Sequence, residues 1–445
     1  MSLLRYLLEI IHEDGYCPTS AFGFEQIGDF MKSLFKISLL VVFVIFLTSC
    51  ASTKLKTAFR NDPTKIDYPY VLIVSFDGFR HDYIDRFNPP NLTAFYRSGV
   101  KAKSLRPVYP SSTFPNHYSI VTGLYAGNHG IIANSFYDEK NNRYYKLSDR
   151  AAISDASYYG GEPLWNIVQK NGMASATYYW PGSEANINGL YPTYWYKYEH
   201  TTPHEVRIKQ VLDWLKQPNE TRPHLISLYF PDTDDYGHSH GTDSKEIKDT
   251  VMKLDQSFGQ LMKEIEKLSI KVNVIVLSDH GMQNQDKYKI EYLDDCVDIK
   301  DINVIGNGPY SNLYIKDKSK VETVVSKLNQ CKKNFKAYRK DKIPKKYQLN
   351  NHAHVGDIHV NTKVPFIIST KDKNNFSVGN HGYDPYENQS MHGIFMAKGP
   401  DIQERMLIDT LDNIHVYPFV LAILKTPYQH QIDGKVEVLK KIIRK

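Results

Sequence analysis

Cysteine is scarce in this 445-residue chain, with only 4 in all, so neither a disulfide scaffold nor a cysteine-rich metal domain is on offer. Charge of one sign is lacking too. A formal balance of +6 is spread over 55 Lys and Arg and 49 Asp and Glu, and basic runs are no longer than pairs such as Lys345-Lys346 and Lys440-Lys441. Charge therefore gives no argument for binding polymeric nucleic acid. Internal repeats and low-complexity stretches are absent. The one long apolar run, Ile37 to Leu47, falls short of the roughly 20 residues a bilayer-spanning helix needs.

That run has a different use. Lys32 and Lys36 precede it and Leu47-Thr48-Ser49-Cys50 follows, a cationic start, a short apolar core and small residues before a cut site. It resembles a bacterial lipoprotein signal over 31–50, with Cys50 the lipidated first residue of the mature chain, anchored in the cell envelope. Residues 1–30 lack that pattern and read as an N-terminal extension ahead of the true start at Met31, and 51–67 as a tether. In an oxidising compartment Cys296 and Cys331 are then left, and a disulfide between them or two separate buried thiols both fit.

The remainder, 68–445, has the composition of a globular enzyme, 41% hydrophobic and 23% charged. Short apolar runs alternate with amphipathic stretches, which predicts an α/β layer fold with a mostly parallel sheet. The candidate strands are Val71 to Phe76, Ala176 to Trp180, Leu225 to Phe230, Val272 to Leu277, Pro365 to Ser369 and Ile394 to Ala397. Ile247, Val251, Leu254, Phe258, Leu261, Ile265 and Leu268 alternate steps of four and three, one apolar stripe of a helix lying on the sheet. About 283–378 is irregular and lysine-rich, an expected cap-like insertion.

Ligands of open α/β sheets bind beyond the carboxyl ends of strands, so the polar residues that follow the apolar runs carry the argument. One run delivers Asp77-Gly78, another Asp232-Thr233-Asp234-Asp235-Tyr236-Gly237-His238, and a third Asp279-His280-Gly281. A later loop supplies His381-Gly382. Carboxylate and imidazole together suit zinc, and a pair of zinc ions needs about three protein ligands each. Pro110-Ser111-Ser112-Thr113-Phe114-Pro115-Asn116-His117 offers a nucleophile. Pro115 fits a first helical turn, so Thr113 stands at or just before a helix N-terminus, where free N–H groups favour phosphate.

With Ser112 to His117, Gly130-Ile131-Ile132-Ala133-Asn134 and Ser278-Asp279-His280-Gly281-Met282, these segments resemble the nucleotide pyrophosphatase/phosphodiesterase family of the alkaline phosphatase superfamily. The resemblance runs in the family's order over roughly 68–425. It implies a three-layer α/β/α sandwich and two zinc ions, one held by Asp77, Asp279 and His280 beside Thr113, the other by Asp234, His238 and His381. It implies attack by Thr113, a phosphothreonine released by water, and Asn134 as donor to the transition-state phosphate. Asp232, His117, His240 and His392 would be bystanders. Phe114 and Tyr198 would sandwich a nucleobase, with Trp180 as a wall. Many relatives carry Lys immediately before the threonine; here it is Ser112, which predicts weaker hold on distal phosphates. A phosphate monoester or choline-lipid substrate is the alternative, although no Arg stands beside Thr113 in sequence. A binding protein without catalysis is the second.

Overall fold

The computed structural model describes residues 59–331, 334–349, 352–373 and 376–444. The expected signal, the lipidated Cys50 and the tether lie outside them up to Ala58. Among the described residues no helix is long and apolar enough to cross a membrane.

The central sheet is built from β1 (Tyr70–Phe76), β2 (Val100–Ala102), β3 (Ser175–Tyr178), β4 (Tyr194–Trp195), β5 (Leu225–Phe230), β6 (Val272–Leu277), and two late strands. Four strands of a second sheet intervene in the chain: β7 (Ile302–Ile305), β8 (Tyr310–Ile315), β9 (Phe335–Arg339) and β10 (Ile358–Thr362). The central sheet is completed by β11 (Phe395–Lys398) and β12 (Met406–Ile408), in the order β12-β2-β11-β6-β1-β5-β3-β4. Its pairings are parallel except for β11, which runs antiparallel to both β2 and β6.

Strand alternation sorts the core into two layers. Val71 and Ile73 of β1 face α2 (Thr113–Thr122), α3 (Leu164–Lys170) and α8 (Val416–Ile423). Leu72, Val74 and Phe76 face α1 (Pro90–Ser98), α4 (His204–Leu215) and α6 (Lys245–Ile265). Successive side chains of a strand point to opposite faces, so a strand buried on both reads as an unbroken apolar run. The predicted stripe is α6: six of its seven residues are buried against that second layer and Leu268 packs at its edge. Full burial of each such side chain contributes about 1.5–3 kcal/mol.

The predicted strand at Pro365 to Ser369 shortens to Ile367–Ser369 and pairs with Ile290–Tyr292, outside the central sheet. Pro365 has no N–H for a central ladder. The short strands β2, β4 and β12 escape sequence reading because two or three residues carry no period.

Within the span expected as an insertion, the order β7-β8-β10-β9 makes a wholly antiparallel sheet. It is backed by α7 (Val321–Cys331), and its core includes Leu313, Leu328 and Val360. Cys296 and Cys331 are joined by a disulfide, which decides between the two options that spacing left open.

Candidate active site

Three central neighbours in the sheet, β6, β1 and β5, present their carboxyl ends side by side. Asp77 follows β1, Ser278-Asp279-His280 follows β6, and Pro231 leads from β5 into α5 (Asp232–His240). Gly78 has φ +65°, and a Cβ there would stand 2.9 Å from the Asp234 Cα, so glycine lets α5 close on the end of β1. Asp234 and His238 are one helical turn apart on α5. His381 arrives from the loop after the short pairing of Gln283-Asn284 with Gly379-Asn380.

The donor atoms converge. His280 Nε2 lies 3.3 Å from Asp77 Oδ1 and 3.1 Å from Asp279 Oδ2. Asp234 Oδ1 is 3.4 Å from His381 Nε2 and 3.5 Å from His238 Nε2. The His280 and His381 rings stack at 3.7 Å, so the two groups abut. Donors of Asp77, Asp279 and His280, and equally of Asp234, His280 and His381, all fall within 4.8 Å of one another. His280 thus stands where either group could use it.

These residues fit cations. Asp77 Oδ1, Asp234 Oδ1 and Asp279 Oδ2 are buried without a hydrogen-bond partner. With Nδ1 as donor, His280 gives its proton to Gly281 O (2.8 Å), His238 to Gly379 O (2.8 Å) and His381 to Ser111 O (2.9 Å). Each ring then turns an Nε2 lone pair towards the carboxylates, the backbone support expected of metal-ligating histidines. Burial, then Asp279 and Asp234, pushes the Asp77 carboxyl well above the usual carboxylate range. Burial and then Asp234 does the same to Asp279. Burial holds His381 down to about 4, and burial together with His381 puts His280 well below its ordinary value. Lone pairs and carboxylates packed at such distances repel unless a positive charge lies among them.

Thr113 is the first residue of α2, and Ser112 before it makes no side-chain cap. Its Oγ1 is 3.3 Å from His280 Nε2. The preceding loop is held from several directions. Asn116 donates to Pro110 O and Ser112 O and accepts from Val108 N, while Ser111 Oγ donates to Tyr383 O and accepts from Gly382 N. The second sheet also reaches it, through Tyr310 against Ser112 (3.2 Å between hydroxyls) and His359 against Tyr109 (2.6 Å). Asn134 Oδ1 accepts from Phe114 N at 2.9 Å, which leaves the NH2 end as the available donor beside Thr113.

A cleft with a cavity volume of about 210 Å³ opens from this centre, lined by Thr113, Phe114, Trp180, Tyr198, Asp77 and Asp234 among others. The expected aromatic residues are therefore brought together. Trp180 is nearly buried and spends its indole N–H on His117 O (3.0 Å), so it serves as wall. Arg150 lines the same cleft, although nothing near Thr113 in sequence announces it. Glu184 at 3.2 Å and Tyr198 O at 3.1 Å hold its guanidinium.

Two supporting residues went unseen in the sequence. His117, expected as a bystander, sets Nδ1 3.2 Å from Asp279 Oδ2 and 3.1 Å from Thr113 O, with Nε2 2.8 Å from Ser75 Oγ. Tyr229 donates to Asp77 Oδ2 at 2.6 Å, and its one local signal is a hydroxyl within an otherwise apolar strand end. Of the other expected bystanders, Asp232 is engaged by His204 and Lys253, and His392 by Ser104 and Pro385 O, away from the donor cluster.

The fold is the alkaline-phosphatase-like α/β/α sandwich, with its donor cluster at the carboxyl edge of the sheet. A type I phosphodiesterase/nucleotide pyrophosphatase model matches residues 71–384, and the chain belongs to that family. It is 35% identical over 376 residues to venom phosphodiesterase of Naja atra, covering 82% of this chain and 45% of that protein. It is 33% identical over 367 residues to bis(5'-adenosyl)-triphosphatase enpp4 of Xenopus laevis, covering 82% of this chain and 79% of that one. The chain thus spans less than half the length of the venom enzyme. Among solved structures, an inactive threonine-to-alanine form of murine ectonucleotide pyrophosphatase/phosphodiesterase 5 in complex with AMP superposes with a TM-score of 0.80. That match has 30% identity and covers 84% of this chain and 100% of that one.

Proposed function

We propose that this protein is a dizinc nucleotide phosphodiesterase/pyrophosphatase that releases nucleoside 5'-monophosphates through a covalent phosphothreonine at Thr113. The observation that carries the reading is the threonine hydroxyl at a helix N-terminus, 3.3 Å from His280, beside six carboxylate and imidazole donors with unpartnered oxygens among them. A venom phosphodiesterase and an AMP complex among the similar proteins support the substrate class.

Asp77, Asp279 and His280 would hold one ion, and Asp234, His238 and His381 the other. Mixed carboxylate and imidazole donors favour zinc. Bound there, the ions would balance the carboxylates and make the Thr113 hydroxyl more acidic. Thr113 Oγ1 bonds to phosphorus and gives its proton to solvent, while the bond to the leaving group breaks with its electron pair on the departing oxygen. Water then displaces Thr113 Oγ1 from phosphorus and the hydroxyl regains a proton. The Asn134 NH2 donates to the phosphate oxygen as charge builds, a contact of about 3–4 kcal/mol in comparable sites. The base lies between Phe114 and Tyr198.

Ser112 is buried and hydrogen-bonded to Tyr310, so the place where many relatives carry Lys offers a neutral hydroxyl already engaged within the protein. Triphosphates should be the poorer substrates. The anchoring proposal rests on residues 31–50 alone: a mature chain beginning at lipidated Cys50 in the bacterial envelope, checked by intact mass, which a retained Cys17 peptide would contradict.

The deciding measurement is hydrolysis of the p-nitrophenyl ester of thymidine 5'-monophosphate beside p-nitrophenyl phosphate and p-nitrophenyl phosphorylcholine, with and without chelator. Chelator-sensitive cleavage strongly favouring the nucleotide ester is expected. Preference for either other ester would overturn the substrate class, and cleavage of none would leave a binding role.

A further inference from the structure

We infer that a second cleft, on the far side of the donor cluster from Thr113, receives an uncharged nucleoside as the leaving group, so that the preferred substrates are dinucleoside phosphates rather than nucleoside triphosphates. The inference rests on the phosphodiesterase reading above and specifies its leaving side.

The position follows from the direction of attack. In an in-line displacement the leaving oxygen departs opposite the nucleophile. Thr113 abuts His280, of the group formed with Asp77 and Asp279, so departure is towards Asp234, His238 and His381. His238 is also a wall of a cleft with a cavity volume of about 500 Å³, inside the usual range for small-molecule sites. One imidazole thus faces the reacting centre and borders this second space.

The lining sets the chemistry. Gln285, Asn307 and Asn380 offer carboxamides, and Phe376, half-buried, offers a ring face. Among the described residues no Lys, Arg, Asp or Glu lines the cleft. The amides are tied into position: Asn380 Nδ2 donates to Gln285 Oε1 (3.3 Å), Asn380 Oδ1 accepts from His381 N (2.9 Å), and Gln285 Nε2 donates to Tyr383 Oη (3.2 Å). Gly308, at φ +112°, brings the backbone so near that a Cβ would sit 2.9 Å from Asn380 Nδ2. Beyond the ion proposed for Asp234, His238 and His381, a leaving pyrophosphate would find no Lys or Arg among the described lining residues to replace the water around its outer phosphate. A nucleoside would find donors and acceptors for base and sugar edges and a ring to stack on, the pattern of small-molecule sites with a few placed polar groups.

The first cleft differs. There Arg150, Glu184 and Asp235 stand among the aromatics, so the two sides of the centre are chemically distinct and a substrate has one favoured orientation.

The test compares kcat/KM for thymidylyl-(3'→5')-thymidine, ATP and the p-nitrophenyl ester of thymidine 5'-monophosphate in the zinc-loaded protein and in Phe376→Ala, Asn307→Ala and Asn307→Lys. The unmodified enzyme should favour the dinucleoside over ATP. Phe376→Ala should raise KM for the dinucleoside about tenfold, as expected for loss of one stacked base, while the inhibition constant of AMP, bound in the first cleft, stays unchanged. Asn307→Lys should move preference towards ATP. In a Thr113→Ala background the dinucleoside should bind more tightly than AMP, and Phe376→Ala should erase that margin. If the variants cleave dinucleoside and ATP in the unmodified ratio, or ATP is favoured from the start, the leaving-side assignment is wrong and the phosphodiesterase reading survives. If none of the three substrates is cleaved, both fall together.

Discussion

The two halves of the donor cluster are built differently. Asp77, Asp279 and His280 have side chains at most 1% exposed, whereas Asp234, His238 and His381 stand at 17%, 31% and 7%. The closed half grows from neighbouring strands β1 and β6 and is braced by Tyr229 and His117. The open half grows from a single turn of α5 and a loop, and borders the second cleft. Burial is concentrated beside Thr113, and access beside the second cleft.

That contrast can be broken at its strongest point first. Thr113→Ala should lower kcat on the nucleotide ester on the order of 10³-fold or more, with metal content intact. Comparable turnover in this variant would remove the nucleophile from the closed half.

The next test separates the halves by metal. Two zinc ions per chain are expected by mass spectrometry, with His238→Ala and His280→Ala each losing occupancy. Under brief chelation the open half should empty first, giving chains with one ion before chains with none. Simultaneous loss would mean that exposure does not govern exchange.

Bracing should matter less than ligation. His117→Ala removes the support of Asp279 and of the Thr113 carbonyl, and about a 10- to 100-fold fall in activity or zinc affinity is expected, as for other residues that orient ligands. Tyr229→Phe, which keeps the ring and deletes one hydrogen bond to Asp77, should cost about tenfold or less. A fall as large as that of Thr113→Ala would place His117 in the reaction itself.

The smallest effect concerns histidines outside both halves. Burial holds His129 and His359 down to about 3, so each is neutral in the folded protein where it would be protonated in the unfolded chain. Between about 6.5 and 3 the unfolded state binds more protons, so stability is lost as pH falls through that window. The melting temperature should drop from pH 7 to pH 4.5, and His359→Asn should make the drop shallower. Parallel curves would show that His359 does not contribute.

Much of the site is legible in the chain because it is local. Val71 to Phe76 ends in Asp77 and Val272 to Leu277 leads to Asp279 and His280, and strand ends can be read from the run that precedes them. The α6 stripe was equally plain. Pro365 to Ser369 misled, since an apolar run does not say which sheet takes it.

Other features depend on residues far apart in the chain. Ser112 meets Tyr310 across 198 positions, Tyr109 meets His359 across 250, and Tyr229 meets Asp77 across 152. The supporting role of His117, Arg150 in the first cleft, the amide-rich lining of the second and the Cys296–Cys331 bond arise likewise. By itself the sequence determined the layered fold, the residues at its strand ends and the helix start at Thr113, because hydrophobic periodicity and helix-start chemistry act over a few residues. Only the tertiary structure decided which half of the cluster is closed, what braces it and what chemistry flanks it, because those follow from packing between segments whose spacing in the chain carries no record of their contact.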